Sequence, residues 1–188
     1  VHELGQAQDP AKWSEEKTRN ETDLIRTRLR KTIEQDLTDD PWAQKVFGEL
    51  LRQAIAEAEA MFDHPLKQYA LFKDFEQALA TRATPGVPDV LADEPHARAY
   101  FGAMRLVLGD GYFEGLSAVR MGELVAEARA IDATVRQAVA ENSLNQQNIE
   151  AAIRNALLPR LFGQFGLDAA KAVVDQVIHI TRVGLGKA

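Results

Sequence analysis

The chain has 188 residues, 46% of them hydrophobic and 27% charged, with a formal net charge of −6 and no cysteine. That composition excludes thiolate catalysis, cysteine-bound zinc and disulfide scaffolds, and it furnishes a core for a chain somewhat longer than a typical domain of about 150 residues. The acidic total argues against a protein that coats nucleic acid, although residues 141–188, with five Lys/Arg against four Asp/Glu, carry a positive balance that local phosphate contacts could use.

The opening stretch "VHELGQAQDPAKW" has no signal-peptide pattern and no run of about 18 apolar residues follows it, so neither export nor membrane spanning is expected. With no cysteine, the bacterial cytoplasm is the expected location. The chain does not begin with Met, as expected of a fragment of a longer protein or of a processed one. Residues 1–20 read as a flexible lead-in.

Thr18 and Glu21 have the spacing of a capping box, and Ile25, Leu29, Ile33 and Leu37 then recur at every fourth position, which predicts a first helix of about 20 residues. Asp39 and Asp40 before Pro41 predict an N-cap with proline in the first turn, opening a second helix to about Phe62. Pro65 opens a third, to about Arg82, with Asp63 or His64 as its cap and Leu66, Tyr69, Phe72 or Phe75 offered to the core. "ATPGVPDV", with two prolines and a glycine, predicts a loop break near residues 83–92. Asp93, Glu94 and Pro95 start a helix that "GDG" at 109–111 ends, and a long helix runs from about Ser117 to Ala140. Asn145 caps the next, which Pro159 is expected to kink or end, and the last starts at Asp168. The prediction is all-α: a helical domain over residues 21–188 with about seven helices, a division into two lobes as the alternative, and no sheet.

Chemistry is sparse. There is no GxxxxGK[ST] or GxGxxG phosphate loop, and "GDGYFEG" lacks the lysine a phosphate cradle uses. After Pro88 and Asp89 the remaining lysines, Lys171 and Lys187, have no acid two positions earlier, so the (D/E)xK element of a restriction-type nuclease is missing. The four histidines, at positions 2, 64, 96 and 179, make no Glu-x-x-His pair. Asp175 and His179 share a helix face, but two ligands do not make a metal site. No catalytic, cofactor-binding or metal-binding residues are therefore assigned.

Two basic groupings remain: Arg26, Arg28, Arg30 and Lys31 on the first helix, and Arg182 and Lys187 near the end. They are either solvated faces salt-bridged to neighbours such as Asp23 and Glu34, or contacts for phosphate or an acidic partner. The aromatic residues Trp42, Tyr69, Phe72, Phe75, Tyr100 and Phe101 stand at helical spacing, which favours core over a base-stacking platform.

"IRTRLRKTIEQDLTDDPWAQKVF", "EAMFDHPLKQYALFKDFEQAL", "HARAYFGAMRLVLGD", "NQQNIEAAIRNALLPRLF" and "VIHITRVGLGKA" resemble successive blocks from the C-terminal region of the R (restriction, HsdR) subunit of type I restriction-modification enzymes. The likeness covers about residues 21–188. It implies a parent subunit that is an ATP-dependent DNA translocase and type I site-specific deoxyribonuclease, built with methyltransferase (M) and specificity (S) subunits. ATP and Mg would bind elsewhere in that parent, and none in this chain. Its C-terminal region is the helical part linked to assembly with the methyltransferase core, with DNA contacted through the complex. Gly186 and Lys187 stand where the family pattern leads one to expect Ser and Arg, which keeps a cation at the end. The resemblance thus implies a non-catalytic helical docking domain; the alternatives are a stand-alone nucleic-acid-binding module using a basic helix face, and a free-standing helical enzyme, which would need a metal or cofactor.

Overall fold

The computed structural model describes residues 9–81, 83–142 and 145–187, and among them it contains helices and no strand. The eight α-helices are α1 (Glu15–Lys31), α2 (Pro41–Ala60), α3 (Pro65–Ala80), α4 (Pro95–Leu108), α5 (Asp110–Phe113), α6 (Ala118–Glu141), α7 (Gln146–Phe165) and α8 (Leu167–Lys187). Residues 1–8 of the expected lead-in lie outside the described residues. The rest of it is ordered: a 3-10 turn at Pro10–Lys12 leads into α1, which begins inside the expected lead-in. Ser14 does this rather than Thr18, its hydroxyl accepting the Lys17 N–H at 3.2 Å, while Thr18 is buried and donates back to the Ser14 carbonyl at 3.0 Å.

The helices group into two compact units, the first made of residues 1–36 and 46–82 and the second of residues 37–45 and 83–188. The division falls where the expected loop break begins, and a 3-10 turn, Asp89–Leu91, occupies part of that loop.

In the first unit α1 lies alongside α3, and the predicted stripe Ile25, Leu29 and Ile33 is buried, running out into a π-helical turn at Thr32–Asp36. On the part of α2 in this unit the buried positions are Phe47, Leu51, Ala54 and Ala58, a 4-3-4 spacing that keeps one side of the helix inward. On α3 Phe72 is fully buried, Tyr69 and Phe75 are half-buried and meet Trp13 and Phe47 edge-on, and Leu66, a candidate for the core, is exposed. His64 occupies the N-cap position of α3 without a side-chain cap bond, since Pro65 already sets the first turn.

In the second unit α4 packs on α6 and α8, and α7 on α6 and α8. Phe101, Met104, Leu124, Ile131, Ile153, Leu157, Leu161 and Val173 are buried at the centre of this core. Gly109 ends α4 at φ 77°, a left-handed conformation that suits glycine. The Asn145 side-chain oxygen caps α7 as predicted, and the Ser117 hydroxyl caps α6, close to the expected start of that helix. Pro159 neither ends nor replaces a turn of α7, which continues to Phe165. It lies on the exposed side, and the carbonyl it cannot bond belongs to Asn155, itself exposed, so water satisfies what the helix gives up.

Candidate functional site: the basic faces and the buried carboxylates

The two basic groupings belong to different units, Arg26, Arg28, Arg30 and Lys31 to the first and Arg182 and Lys187 to the second. Four of these six side chains have a carboxylate partner. Arg26 reaches Asp23 at 3.4 Å and its guanidinium lies 5.6 Å from the Phe72 ring centre. Arg28 donates to Glu76 of α3 at 2.9 and 3.2 Å, and Lys73 donates to the same carboxylate at 2.7 Å. These donors hold the Glu76 carboxyl below its usual range, Lys73 more strongly than Arg28. Arg182 donates to Glu150 at 2.7 and 3.1 Å and Lys187 to Asp39 at 2.9 Å. Arg30 and Lys31 are exposed and have no ion-pair partner among the described residues. The predicted Asp23 partner is found. The others, Glu76, Glu150 and Asp39, come from distant parts of the chain, beyond the reach of i, i+4 reasoning.

A different constellation was not legible in sequence spacing. Asp132 of α6 is buried, accepts from the Arg136 guanidinium one turn on, and lies 3.5 Å from His96 Nδ1 of α4. Beside it Glu94 takes a bidentate grip from Arg129, at 2.6 and 2.9 Å. Asp93, Glu94, Pro95, His96, Asp132 and Arg136 line an open recess of about 460 Å³. Tyr100, one turn along α4, hydrogen-bonds Thr181 of α8, and burial pushes its hydroxyl up to about 12, so it stays protonated at neutral pH. A second buried carboxylate, Glu127, accepts from Arg160 Nε and Gln164 Nε2, both at 2.8 Å.

These polar groups answer one another across helices. Asp132 takes its donor from its own helix and faces His96 of α4, and Glu127 joins α6 to α7. Each carboxylate has its donors, which is what keeps a buried charge tolerable. Asp175 pairs with Arg154 at 3.0 Å and not with His179. No group of three or more potential metal ligands occurs among the described residues, and none of their helices is long and apolar enough to cross a membrane. The arrangement positions helices.

Compared with known proteins, the chain matches no family model, no curated protein and no solved structure.

Proposed function

We propose that the chain is a non-catalytic helical assembly domain of a type I restriction motor subunit, docking the translocase and nuclease onto the methyltransferase and specificity subunits. The observation that carries this reading is the resemblance of five sequence blocks spread over residues 21–188. Support from the fold comes from Glu127, a buried carboxylate whose donors Arg160 and Gln164 lie on the neighbouring helix α7, as suits a scaffold. Large apolar side chains on its surface, Phe62 and Leu66 in the first unit and Val119, Phe162 and Leu167 in the second, are what a docking surface draws on. The test is co-elution of the chain with an assembled M/S complex at micromolar concentrations and low salt. Co-elution that Phe162→Asp or Phe62→Asp weakens is the expected result, and elution of chain and complex as separate peaks would count decisively against the reading.

The second reading, a nucleic-acid-binding module, rests on Arg30 and Lys31, the exposed cations of the α1 grouping that meet no carboxylate among the described residues. It predicts binding to non-specific duplex DNA whose affinity falls steeply with salt, by a slope of about −0.9 per phosphate neutralised. Arg30→Ala with Lys31→Ala should flatten that slope, and affinity independent of salt would remove this reading. Arg26, Arg28, Arg182 and Lys187 are weaker candidates than their charge suggests, because a phosphate would have to displace Asp23, Glu76, Glu150 or Asp39.

A further inference from the structure

Residues 37–45 belong to the second unit although the chain on both sides of them belongs to the first. Three side chains hold them there. Trp42 is buried, its indole N–H donating to the Pro85 carbonyl at 2.9 Å, with the Arg105 guanidinium 5.2 Å from its ring centre. Asp40 caps α2 by accepting the Ala43 N–H at 3.1 Å and lies 3.4 Å from Arg98 Nε. Asp39 meets Lys187 at the far end of α8.

The receiving surface is shaped for this segment by two glycines. A β-carbon on Gly102 would stand 2.5 Å from Trp42 Cβ. One on Gly86, whose φ is +81°, would stand 2.8 Å from Arg105 Nε and 3.1 Å from the indole ring. The groove's polar walls are held independently of their occupant. Arg105 also donates to the Gly86 carbonyl and to Asp110, both at 3.1 Å, and packs 4.8 Å from the centre of the Phe113 ring. Arg98 also donates to the Ala92 carbonyl at 3.1 Å. Withdrawal of residues 37–45 therefore leaves both arginines with partners.

We infer that residues 37–45 form a detachable strap, and that the surface built from Pro85, Gly86, Arg98, Gly102 and Arg105 is a preformed groove that recognises an Asp-Pro-Trp segment and can stand open when the strap lifts. The seated strap carries its own costs: burial raises the Asp40 carboxyl above its usual range more than Arg98 lowers it, and Arg105 Nε is buried without an acceptor. Such contacts belong to the low-stability end of a fold, where segments open without global unfolding. The tethered segment outcompetes a free copy of itself because its effective concentration is high, so the groove shows itself as a site only when the strap is disabled.

The full chain carrying Trp42→Ala tests this, by hydrogen exchange and by binding of a labelled peptide, LTDDPWAQK, that repeats residues 37–45. Exchange at residues 43–46 and at Val87 should speed up by about tenfold or more while Met104, Ala128 and Val174 in the core keep their protection. The peptide should bind the variant, restore protection at Val87, and bind neither the wild-type chain nor Trp42→Ala combined with Gly102→Leu, which fills the slot. Failure of Trp42→Ala to fold, or loss of protection throughout α4, α6 and α8, would make the segment an integral part of the core and overturn the inference. So would a folded variant that ignores the peptide at millimolar concentration.

Discussion

The two units use charge in opposite ways. In the first, Arg28 meets Glu76 and Arg26 meets Asp23 on the surface, and the arginines double as covers for aromatic rings, Arg19 over Phe62 and Arg26 over Phe72. In the second, Asp40, Glu127 and Asp132 are buried: Asp40 meets Arg98, Glu127 holds Arg160 of α7, and Asp132 takes the Arg136 guanidinium of its own helix and faces His96 of α4. Exposed pairs contribute about 0.2–1 kcal/mol because water screens them and long side chains lose entropy. A buried carboxylate whose partner is removed costs about 3–5 kcal/mol, since the charge is left without solvent or donor. The first unit can therefore lose its surface ion pairs with little consequence, as the second can lose exposed ones such as Arg154–Asp175, whereas a buried pair of the second, Glu127 with Arg160, helps set which helix faces which.

The largest effects should come from the apolar cores and should not distinguish the units. Phe101→Ala in the second and Phe72→Ala in the first each delete a fully buried ring and should each cost about 3–5 kcal/mol by urea unfolding. The contrast appears at the next level. Arg160→Ala leaves Glu127 with Gln164 alone and should cost about 2 kcal/mol, less than the full buried-pair figure because Arg160 itself is partly exposed. Arg28→Ala leaves Glu76 with Lys73 and access to water, and should cost less than about 0.5 kcal/mol. Equal losses at Arg160 and Arg28 would break the comparison.

The apolar stripes were legible before the fold was known, because Ile25, Leu29 and Ile33, or Ile149, Ile153 and Leu157, repeat at the period of a helix and burial follows that period. The caps at Asp40 and Asn145 were legible for the same local reason. Ser14 was passed over because Thr18 with Glu21 offered a fuller motif one turn later, and Leu66 misled because its spacing fits a stripe that stops at the end of the bundle. What spacing could not carry was pairing across the chain. Nothing local to Asp132 announces His96, nothing near Arg28 announces Glu76, and the insertion of residues 37–45 into the second unit depends on glycines at 86 and 102. The basic residues stood out in the sequence by their charge, and it is the fold that supplies most of them with carboxylates.

A smaller effect sharpens the contrast through its sign. The Asp40 carboxyl is raised in the folded chain, chiefly by burial, so its contribution to stability is fully present below its unfolded value of 3.8 and is lost as pH rises through the higher folded value. The Glu76 carboxyl is lowered, chiefly by the Lys73 hydrogen bond, so its contribution is present above 4.5 and is lost as pH falls through the lower folded value. Urea midpoints measured from pH 7 down to pH 3 should therefore move in opposite directions relative to two variants. On acidification the wild-type chain should gain on Asp40→Asn, which cannot take up the proton, and lose ground to Glu76→Gln, which has no ion pair left to surrender. Two differences that drift the same way would mean that the Ala43 N–H and Arg98 together outweigh burial at Asp40, and that the strap is held by a favourably bonded carboxylate rather than in spite of a buried charge.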